Sequence, residues 1–244
     1  MRTVRLLIAF DGTRYEGWQS QRKEKTVQEV FEKVLERILK EKVHLTSSSR
    51  TDSGVHAEGL VAHFRTKNQL PDPKIRAALN FYLPKDIVVR AAKTVPMGFH
   101  AQFGARSKLY RYSIRTGLVR PLFDAPYVFW YPNTLNVARM RQAARHLEGK
   151  HDFSAFRGPG NEDRSAVRTV KRLTIRKEGS LIQMEIEGDG FLRHMVRIIA
   201  GTLIDVGRKK LDPADLPKIL ASKDRSKAGR TAKSHGLTLV RVSY

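Results

Sequence analysis

Apolar residues recur along the chain with two different spacings, and each spacing predicts a different kind of element. Residues 27–39 place them at i, i+3, i+4 and i+7, which is typical of a helix with one buried face. Thr26 and Glu29 have the spacing of a capping box at the start of that helix. Residues 108–115 instead alternate apolar and polar side chains, which is typical of a strand.

The same patterns predict that helices and strands alternate in both halves of the chain. Three further helices are expected at 73–82, 136–147 and 190–206. Further strands are expected at 3–9, about 43–48, 60–66, 86–94, about 170–177, 181–187 and 237–243. Polar stretches rich in Pro or Gly predict loops at 117–134 and 157–165. We therefore expect two α/β units joined near residues 100–108, without a sequence repeat of fixed period.

The charge of the chain indicates a polyanionic partner. Lys and Arg together number 46 against 24 for Asp and Glu, so the formal net charge is +22. Self-repulsion of that size opposes compactness, and nucleic acid is the usual partner that relieves it. An acidic membrane surface is the rival partner, but no segment approaches the roughly 18–20 apolar residues of a spanning helix. The apolar run that ends before Asp11 is too short for a signal peptide.

Residue usage narrows the chemistry further. The chain has no Cys, which excludes disulfides, thiolate catalysis and Cys-based zinc sites and makes a reducing cytoplasm the expected compartment. The sequence has neither a phosphate-binding loop nor a dinucleotide-binding glycine motif. Its eight His residues show no spacing typical of a metal site. Chemistry without a cofactor or metal is therefore favoured.

A polar segment between two predicted strands is the first candidate for chemistry. It places Arg50, Thr51, Asp52 and His56 within seven positions. An ordinary turn is one interpretation, since Asp-Ser-Gly is good turn chemistry. In the functional interpretation, rigid strands hold a carboxylate at the tip of a loop, two residues from an arginine.

The segment KLYRY is the second candidate. Alternation along the predicted strand puts Lys108, Tyr110 and Tyr112 on one face and Leu109 and Arg111 on the other. The tyrosines are either amphipathic packing residues or, with the basic residues, a surface on which nucleic-acid bases stack.

The segment GFLRHMVR is the third candidate. Arg193 and Arg197 are four residues apart and share one face of the helix predicted at 190–206. An arginine at the margin of an apolar helix face is usually solvated. Alternatively, one of the two turns inward and pairs with a buried carboxylate, a role that suits the forked guanidinium.

These three candidates, in this order, resemble the TruA family of tRNA pseudouridine synthases, and the resemblance covers nearly the whole chain. The matching motifs are Asp11-Gly12 with Tyr15, Gly17, Trp18 and Gln19, then RTDSGVHA at 50–57, LNFYLPKDI at 79–87, FHAQF at 99–103, KLYRY at 108–112, HDFSAF at 151–156, GFLRHMVR at 190–197 and GLTLVRVSY at 236–244. The chain departs from the family at one position, because Ser49 stands where the family loop usually has Gly.

The resemblance implies an α+β pseudouridine synthase fold. We expect two RNP-like α/β halves with joined, mainly antiparallel sheets flanked by helices and a central cleft. Residues 1–104 would form the N-terminal domain with the RTD loop, and residues 105–244 the C-terminal domain with the Tyr110 strand and the Arg197 helix. The implied activity is isomerisation of uridines 38, 39 and 40 in the tRNA anticodon stem-loop to pseudouridine. The implied enzyme is a cytoplasmic homodimer that binds tRNA and uses no cofactor.

The resemblance also implies a role for individual residues. Asp52 matches the essential aspartate, and Arg197 matches the arginine paired with that aspartate. Tyr110 matches the tyrosine that stacks on the uracil and can move a proton. Arg50 matches the arginine that helps to extrude the target base, and Leu237 looks like the apolar residue that packs against it.

Three further residues are expected to bind RNA, namely Lys108, Arg111 and Arg193. A non-catalytic basic RNA-binding protein is the alternative function, and it would explain the charge and the basic-aromatic strand. A methyltransferase is a second alternative, against which the missing glycine-rich cofactor loop counts. Tritium release from C5-labelled uridine in tRNA, without added cofactor, would separate the three.

Overall fold

The computed structural model divides the chain into two units, each built from a sheet and helices. It describes residues 1–21, 24–160 and 165–244, so part of the loop predicted at 157–165 lies outside the described residues. Unit 1 comprises Met1–Arg106 and Thr238–Tyr244, and unit 2 comprises Ser107–Leu237. None of the helices formed by the described residues is long and apolar enough to cross a membrane.

Unit 1 is built on a sheet with the first strand in its interior. The strands are β1 (Arg2–Phe10), β2 (Thr46–Ser47), β3 (His56–Thr66), β4 (Ile87–Val95) and β10 (Leu237–Ser243). Their order is β4-β1-β3-β10, with β2 beside β3. The strands pair antiparallel, except that β10 runs parallel to β3. Helices α1 (Val27–Leu39) and α2 (Asp72–Tyr82) belong to the same unit.

Helix α1 forms where the apolar spacing predicts it. Phe31, Leu35 and other members of the predicted apolar face are buried. The Thr26 hydroxyl accepts a hydrogen bond from the Glu29 N–H at 3.4 Å, whereas the Glu29 carboxylate pairs with Lys33 at 2.7 Å. Burying one large apolar side chain contributes about 1.5–3 kcal/mol, against about 1 kcal/mol for a cap. The buried face is therefore the main support of the helix.

Unit 2 is built on a second sheet. The strands are β5 (Ser107–Thr116), β6 (Phe129–Tyr131), β7 (Gly149–Asp152), β8 (Val167–Glu178) and β9 (Leu181–Gly188). Their order is β5-β9-β8-β7, all antiparallel, with β6 parallel to β5. The helices are α3 (Val137–Arg145), α4 (Met195–Gly207) and α5 (Leu216–Ser222).

The core of unit 2 lies between its sheet and the helices α3 and α4. Alternate residues of β5 and β9 are buried, including Tyr112 and Ile186. The segment after α5 packs directly on α4, because a Cβ at Gly201 would lie 1.8 Å from the Arg230 carbonyl oxygen. The Gly229 N–H also donates to the Thr202 hydroxyl at 2.9 Å. Backbone contact thus holds Gly229 and Arg230 against helix α4.

The mainly antiparallel sheets and flanking helices confirm the predicted α+β class. The helix expected at 190–206 begins only at Met195, because His194 adopts a left-handed conformation with φ 58°. The strand expected at about 43–48 is reduced to β2. The expected boundary at 104 and 105 differs from the observed units, because β10 returns to pair with β3 in unit 1.

Candidate active site

Asp52 lies in the loop that leads from β2 into β3. Its side chain is partly exposed, whereas the preceding Thr51 is buried. The Val55 N–H donates to the Asp52 carbonyl at 3.1 Å and closes a tight turn, in which Gly54 has φ 73°. The turn chemistry visible in the sequence therefore holds this carboxylate where a ligand can reach it.

The glycine-aromatic motif near the N-terminus holds the Asp52 loop in place. The Trp18 N–H donates to the Thr51 carbonyl at 3.1 Å, and the Gly54 N–H donates to the Tyr15 carbonyl at 3.2 Å. The Tyr15 hydroxyl in turn donates to Asp86 Oδ1 at 2.8 Å. Burial and this hydrogen bond raise the pKa of Tyr15, so its hydroxyl remains a donor. Two backbone bonds and one anchored side chain thus fix the loop.

Two glycines allow the backbones to come this close. A Cβ at Gly17, which has φ 87°, would lie 2.5 Å from the Thr51 carbonyl oxygen. A Cβ at Gly12 would lie 2.1 Å from the Val55 carbonyl oxygen. The Gly12 N–H also donates to His56 Nδ1 at 3.0 Å. Any side chain at either glycine would displace the loop that carries Asp52.

The residues just before Asp52 differ in exposure. The Arg50 side chain is exposed, so it can reach a ligand on the surface. Ser49 and Thr51 are buried, and their hydroxyl oxygens have no hydrogen-bond partner within the described part of the chain. Ser49 lies outside the left-handed region, so its backbone does not require the glycine usual in the family.

In unit 2, strand β5 presents Tyr110 and Tyr112. Tyr110 is 8% exposed, and its ring meets that of Phe191 edge-to-face with centroids 5.4 Å apart. The Tyr112 hydroxyl donates to the Lys233 carbonyl at 2.9 Å, and burial raises the pKa of Tyr112. Both tyrosines are therefore buried, and the Tyr112 hydroxyl is fixed by its hydrogen bond.

Arg197 lies in the first turn of α4 and is bound to the segment that follows α5. Its Nε donates to the Ala232 carbonyl at 2.9 Å, and the Ala232 N–H donates to the Arg197 carbonyl at 3.0 Å. The Arg197 charge also acts on Tyr112, where it opposes the effect of burial on the pKa. The structure thus brings Arg197, Tyr112 and residues 232–233 together.

The predicted RNA-binding residues of unit 2 lie in different settings. Burial and the nearby Arg168 lower the pKa of Lys108, which shares a strand face with Tyr110. Arg111 lies on the opposite face and pairs with Glu185 at 3.1 Å. Arg193 precedes α4 instead of sharing a helix face with Arg197, because the helix starts later than predicted.

Arg193 and Leu237, the last two predicted site residues, differ in exposure. The Arg193 side chain is exposed, and its Nη1 donates to the Pro159 carbonyl at 3.0 Å. Leu237 is buried at the start of β10, next to Gly236, whose Cα packs against Tyr112. Leu237 therefore directly follows the residue that packs against the Tyr112 ring.

Sequence reasoning did not assign a role to several residues that shape these sites. Gly12, Gly17 and Tyr15 support the Asp52 loop, and Phe191 contacts Tyr110. All four fall in motifs that carry the resemblance, but a motif alone does not show which partner a residue contacts. Within residues 1–21, 24–160 and 165–244, there is no cluster of three or more His, Asp or Glu side chains that could hold a metal ion.

Comparison with protein families gives one extensive match. Residues 6–104 and 143–244 match the family model described as tRNA pseudouridine synthase. A solved structure titled as a Cbf5-Nop10-Gar1 complex overlaps 96% of this chain and 57% of that chain, with 12% identity. Its TM-score of 0.35 is too low to support an argument about fold or function.

Curated proteins similar to this chain match it from end to end. The tRNA pseudouridine synthase A of Ruminiclostridium cellulolyticum is 46% identical over 245 residues, covering 100% of both chains. The protein of the same name from Thermoanaerobacter sp. (strain X514) is 45% identical and also covers 100% of both. That of Geobacillus kaustophilus is 43% identical and covers 99% of this chain and 94% of the relative.

Proposed function

We propose that this chain, which belongs to the tRNA pseudouridine synthase family, isomerises uridines 38, 39 and 40 of the tRNA anticodon stem-loop to pseudouridine. The observation that carries the proposal is the identity of 41–46% to relatives named tRNA pseudouridine synthase A, over 99–100% of this chain. The three tRNA positions come from the resemblance to the TruA family.

The proposed reaction balances without a redox partner or an energy source. It breaks the N1–C1′ bond of uridine and joins C5 to C1′, so C5 loses a proton and N1 gains one. The enzyme must supply a reactive group, exclude water and gain access to a base that is normally stacked. Extruding the base costs a few kcal/mol. Asp52 and Arg50 are the side chains proposed for the reactive group and for access to the base.

Asp52 is the proposed catalytic residue. Its partly exposed carboxylate stands on a loop whose backbone is fixed by bonds to Trp18 and Tyr15. A fixed carboxylate lowers the barrier because the reacting atoms are already oriented. It can attack the sugar, attack the ring or take a proton from the sugar, and all three routes start from the ionised form.

Arg50 is the proposed residue for base extrusion. Its exposed side chain, two residues before Asp52, can fill the space that the target base leaves in the RNA. The roles implied for Tyr110, Leu237 and Arg197 by the resemblance stay predictions. Tyr110 is 8% exposed and Tyr112 is 1% exposed, so Tyr110 is the more accessible of the two tyrosines.

Positive charge is the proposed source of affinity for tRNA. The net charge of +22 favours phosphate contacts, which dominate the affinity of most RNA-binding proteins. Lys108 and the exposed Arg193 are the stronger candidates for such contacts, because Arg111 already pairs with Glu185. A substrate phosphate at Arg111 would have to compete with that carboxylate.

We also propose that the enzyme is a cytoplasmic homodimer. A short segment of unit 2 supports the dimer, because four of its apolar side chains are 79–93% exposed: Leu118, Val119, Leu122 and Phe123. Concentrated exposed apolar surface is typical of protein–protein contacts. Multi-angle light scattering of the native chain and of Phe123→Glu tests this, since the substitution should shift a dimer towards monomer.

The activity is tested by tritium release from C5-labelled uridine in tRNA, measured without added cofactor. We expect release with the native chain, and pseudouridine at the modified positions of the product RNA. A non-catalytic RNA-binding protein would bind the same tRNA and release no tritium. Binding without release in a folded, metal-free preparation would thus contradict the proposed function.

A further inference from the structure

Two adjacent aromatic side chains are exposed where helix α2 ends. Phe81 is 79% exposed and Tyr82 is 40% exposed. Their rings meet edge-to-face with centroids 4.9 Å apart, so one supports the other. Both belong to the motif LNFYLPKDI, to which the proposed reaction assigns no role.

The core of unit 1 does not require this aromatic pair. Ile75, Leu79 and Leu83 form the buried side of the segment, and each is at most 7% exposed. The Leu83 N–H donates to the Leu79 carbonyl at 2.8 Å and ends the helix. Phe81 therefore points away from a face that is already filled. Its exposed ring is therefore available to bind another molecule.

The surroundings of the pair are basic. The Arg37 guanidinium, at the end of α1, lies 4.2 Å from the centre of the Tyr82 ring. Lys85, three residues after Tyr82, is exposed. An apolar protein partner would have to remove water from these charges, which is costly. A nucleic acid would place phosphates beside the charges and a base against the ring.

The pair lies at the same end of unit 1 as the Asp52 loop. The turn after α2 leads to Asp86, whose carbonyl accepts a hydrogen bond from the Asp11 N–H at 2.9 Å. The Asp86 carboxylate accepts one from the Tyr15 hydroxyl, and the Tyr15 carbonyl accepts one from Gly54 in the loop itself. Two successive hydrogen bonds, through Tyr15, thus connect the turn after the aromatic pair to the loop that carries Asp52.

We propose that Phe81 and Tyr82, with Arg37 and Lys85, form a stacking platform for an unpaired base of the substrate RNA. The proposal rests on the proposed function, because it concerns a nucleotide other than the target uridine in the same RNA. A stem-loop offers unpaired bases beside its stem, whereas a blunt duplex offers none along its length. The platform therefore favours loop-containing RNA over duplex RNA.

Binding of two RNA probes tests the platform. Anisotropy is measured with a labelled anticodon stem-loop and with a blunt duplex of the same stem sequence. Phe81→Ala should weaken stem-loop binding on the order of tenfold, about 1.4 kcal/mol, as expected for one stacked base. Duplex affinity should stay within about twofold of the native value, because phosphate contacts remain.

Two matched variants separate stacking from apolar contact. Phe81→Leu keeps apolar area but loses the flat ring, so it should behave like Phe81→Ala. Phe81→Trp should retain native affinity, and its added fluorescence should be quenched by the stem-loop when a base stacks on the indole. Native affinity in Phe81→Leu, or an unquenched Phe81→Trp, would overturn the proposal.

Tritium release by the native chain keeps the two proposals distinguishable. If the native chain releases tritium and Phe81→Ala binds both probes normally, the platform is wrong and the proposed function stands. If Phe81→Ala selectively loses stem-loop binding but the native chain releases no tritium, the platform stands and the proposed function fails. Urea unfolding should give equal stability for all Phe81 variants, since the side chain is exposed.

Discussion

Gly17→Ala should impair both turnover and stability, because the glycine touches the backbone of the loop that carries Asp52. An added Cβ would lie 2.5 Å from the Thr51 carbonyl oxygen and 3.1 Å from the Asp52 carbonyl carbon. An ordinary contact begins at about 3.4 Å, so the loop must move by about 0.9 Å. Alanine at φ 87° would add strain of roughly 1–3 kcal/mol.

The expected result follows from these two effects. A shift of about 1 Å in a catalytic group can lower turnover by about 100-fold. We therefore expect Gly17→Ala to lose about 100-fold in kcat and to lose roughly 2–4 kcal/mol of unfolding free energy. Urea denaturation measures the stability, and single-turnover tritium release at saturating enzyme measures the chemical step. Both are measured on the same preparation, so that unfolded protein is not mistaken for slow enzyme.

Gly179→Ala is the matched control for backbone strain. Gly179 also has a positive φ, of 56°, but no atom lies within 4 Å of an added Cβ. This variant should lose roughly 1 kcal/mol of stability and keep native turnover. If Gly17→Ala turned over as fast as Gly179→Ala, contact between Gly17 and the loop would not be what positions Asp52.

Four further substitutions test separate parts of the proposal. Asp52→Asn should keep tRNA affinity within about twofold and abolish pseudouridine formation, and measurable product from a verified variant would falsify the assignment. Ser49→Ala removes a buried hydroxyl without a partner in the described chain, so urea unfolding should show a gain of about 1 kcal/mol. A lowered pKa at Lys108 means that folding disfavours its charged form, so Lys108→Met should be more stable than native at pH 7. That stability advantage should shrink as pH rises towards 10.5. In the same variant, the slope of log K for tRNA binding against log salt should become less steep by about one. Arg197→Lys keeps the charge but loses the 2.9 Å bond from Nε to Ala232 and the forked geometry, so a partial loss of kcat is expected, and unchanged kcat would show that the fork is not required.

The sequence predicts the long periodic elements well, because their burial pattern is local. Helix α1 spans the predicted residues, and α2 begins one residue before the predicted start. Short elements such as β7 and α5 escape prediction, since four to seven residues hold too little periodicity. The start of α4 is missed for another reason, because the left-handed backbone of His194 has no signature in apolar spacing.

Pairing between distant strands is also beyond local patterns. Strand β10 is predicted at the right residues, but its partner is β3, which begins about 180 residues earlier in the chain. Alternation tells which side chains of a strand share a face and does not identify the neighbouring strand. The sequence therefore predicts the elements of unit 1 and not the return of the chain end to it.

The same distinction between local and distant information applies to the candidate site. The types of side chain at Arg50, Asp52 and Tyr110 suggest chemistry without knowledge of the fold. Their positions depend on close backbone contacts, such as that between Gly17 and Thr51, which join segments more than thirty residues apart. In the sequence, the only trace of such a contact is a glycine, and the glycine does not show which distant segment it contacts. Because a Cβ at Gly12 or Gly17 would collide with the backbone of the loop that carries Asp52, the position of that loop depends on both glycines.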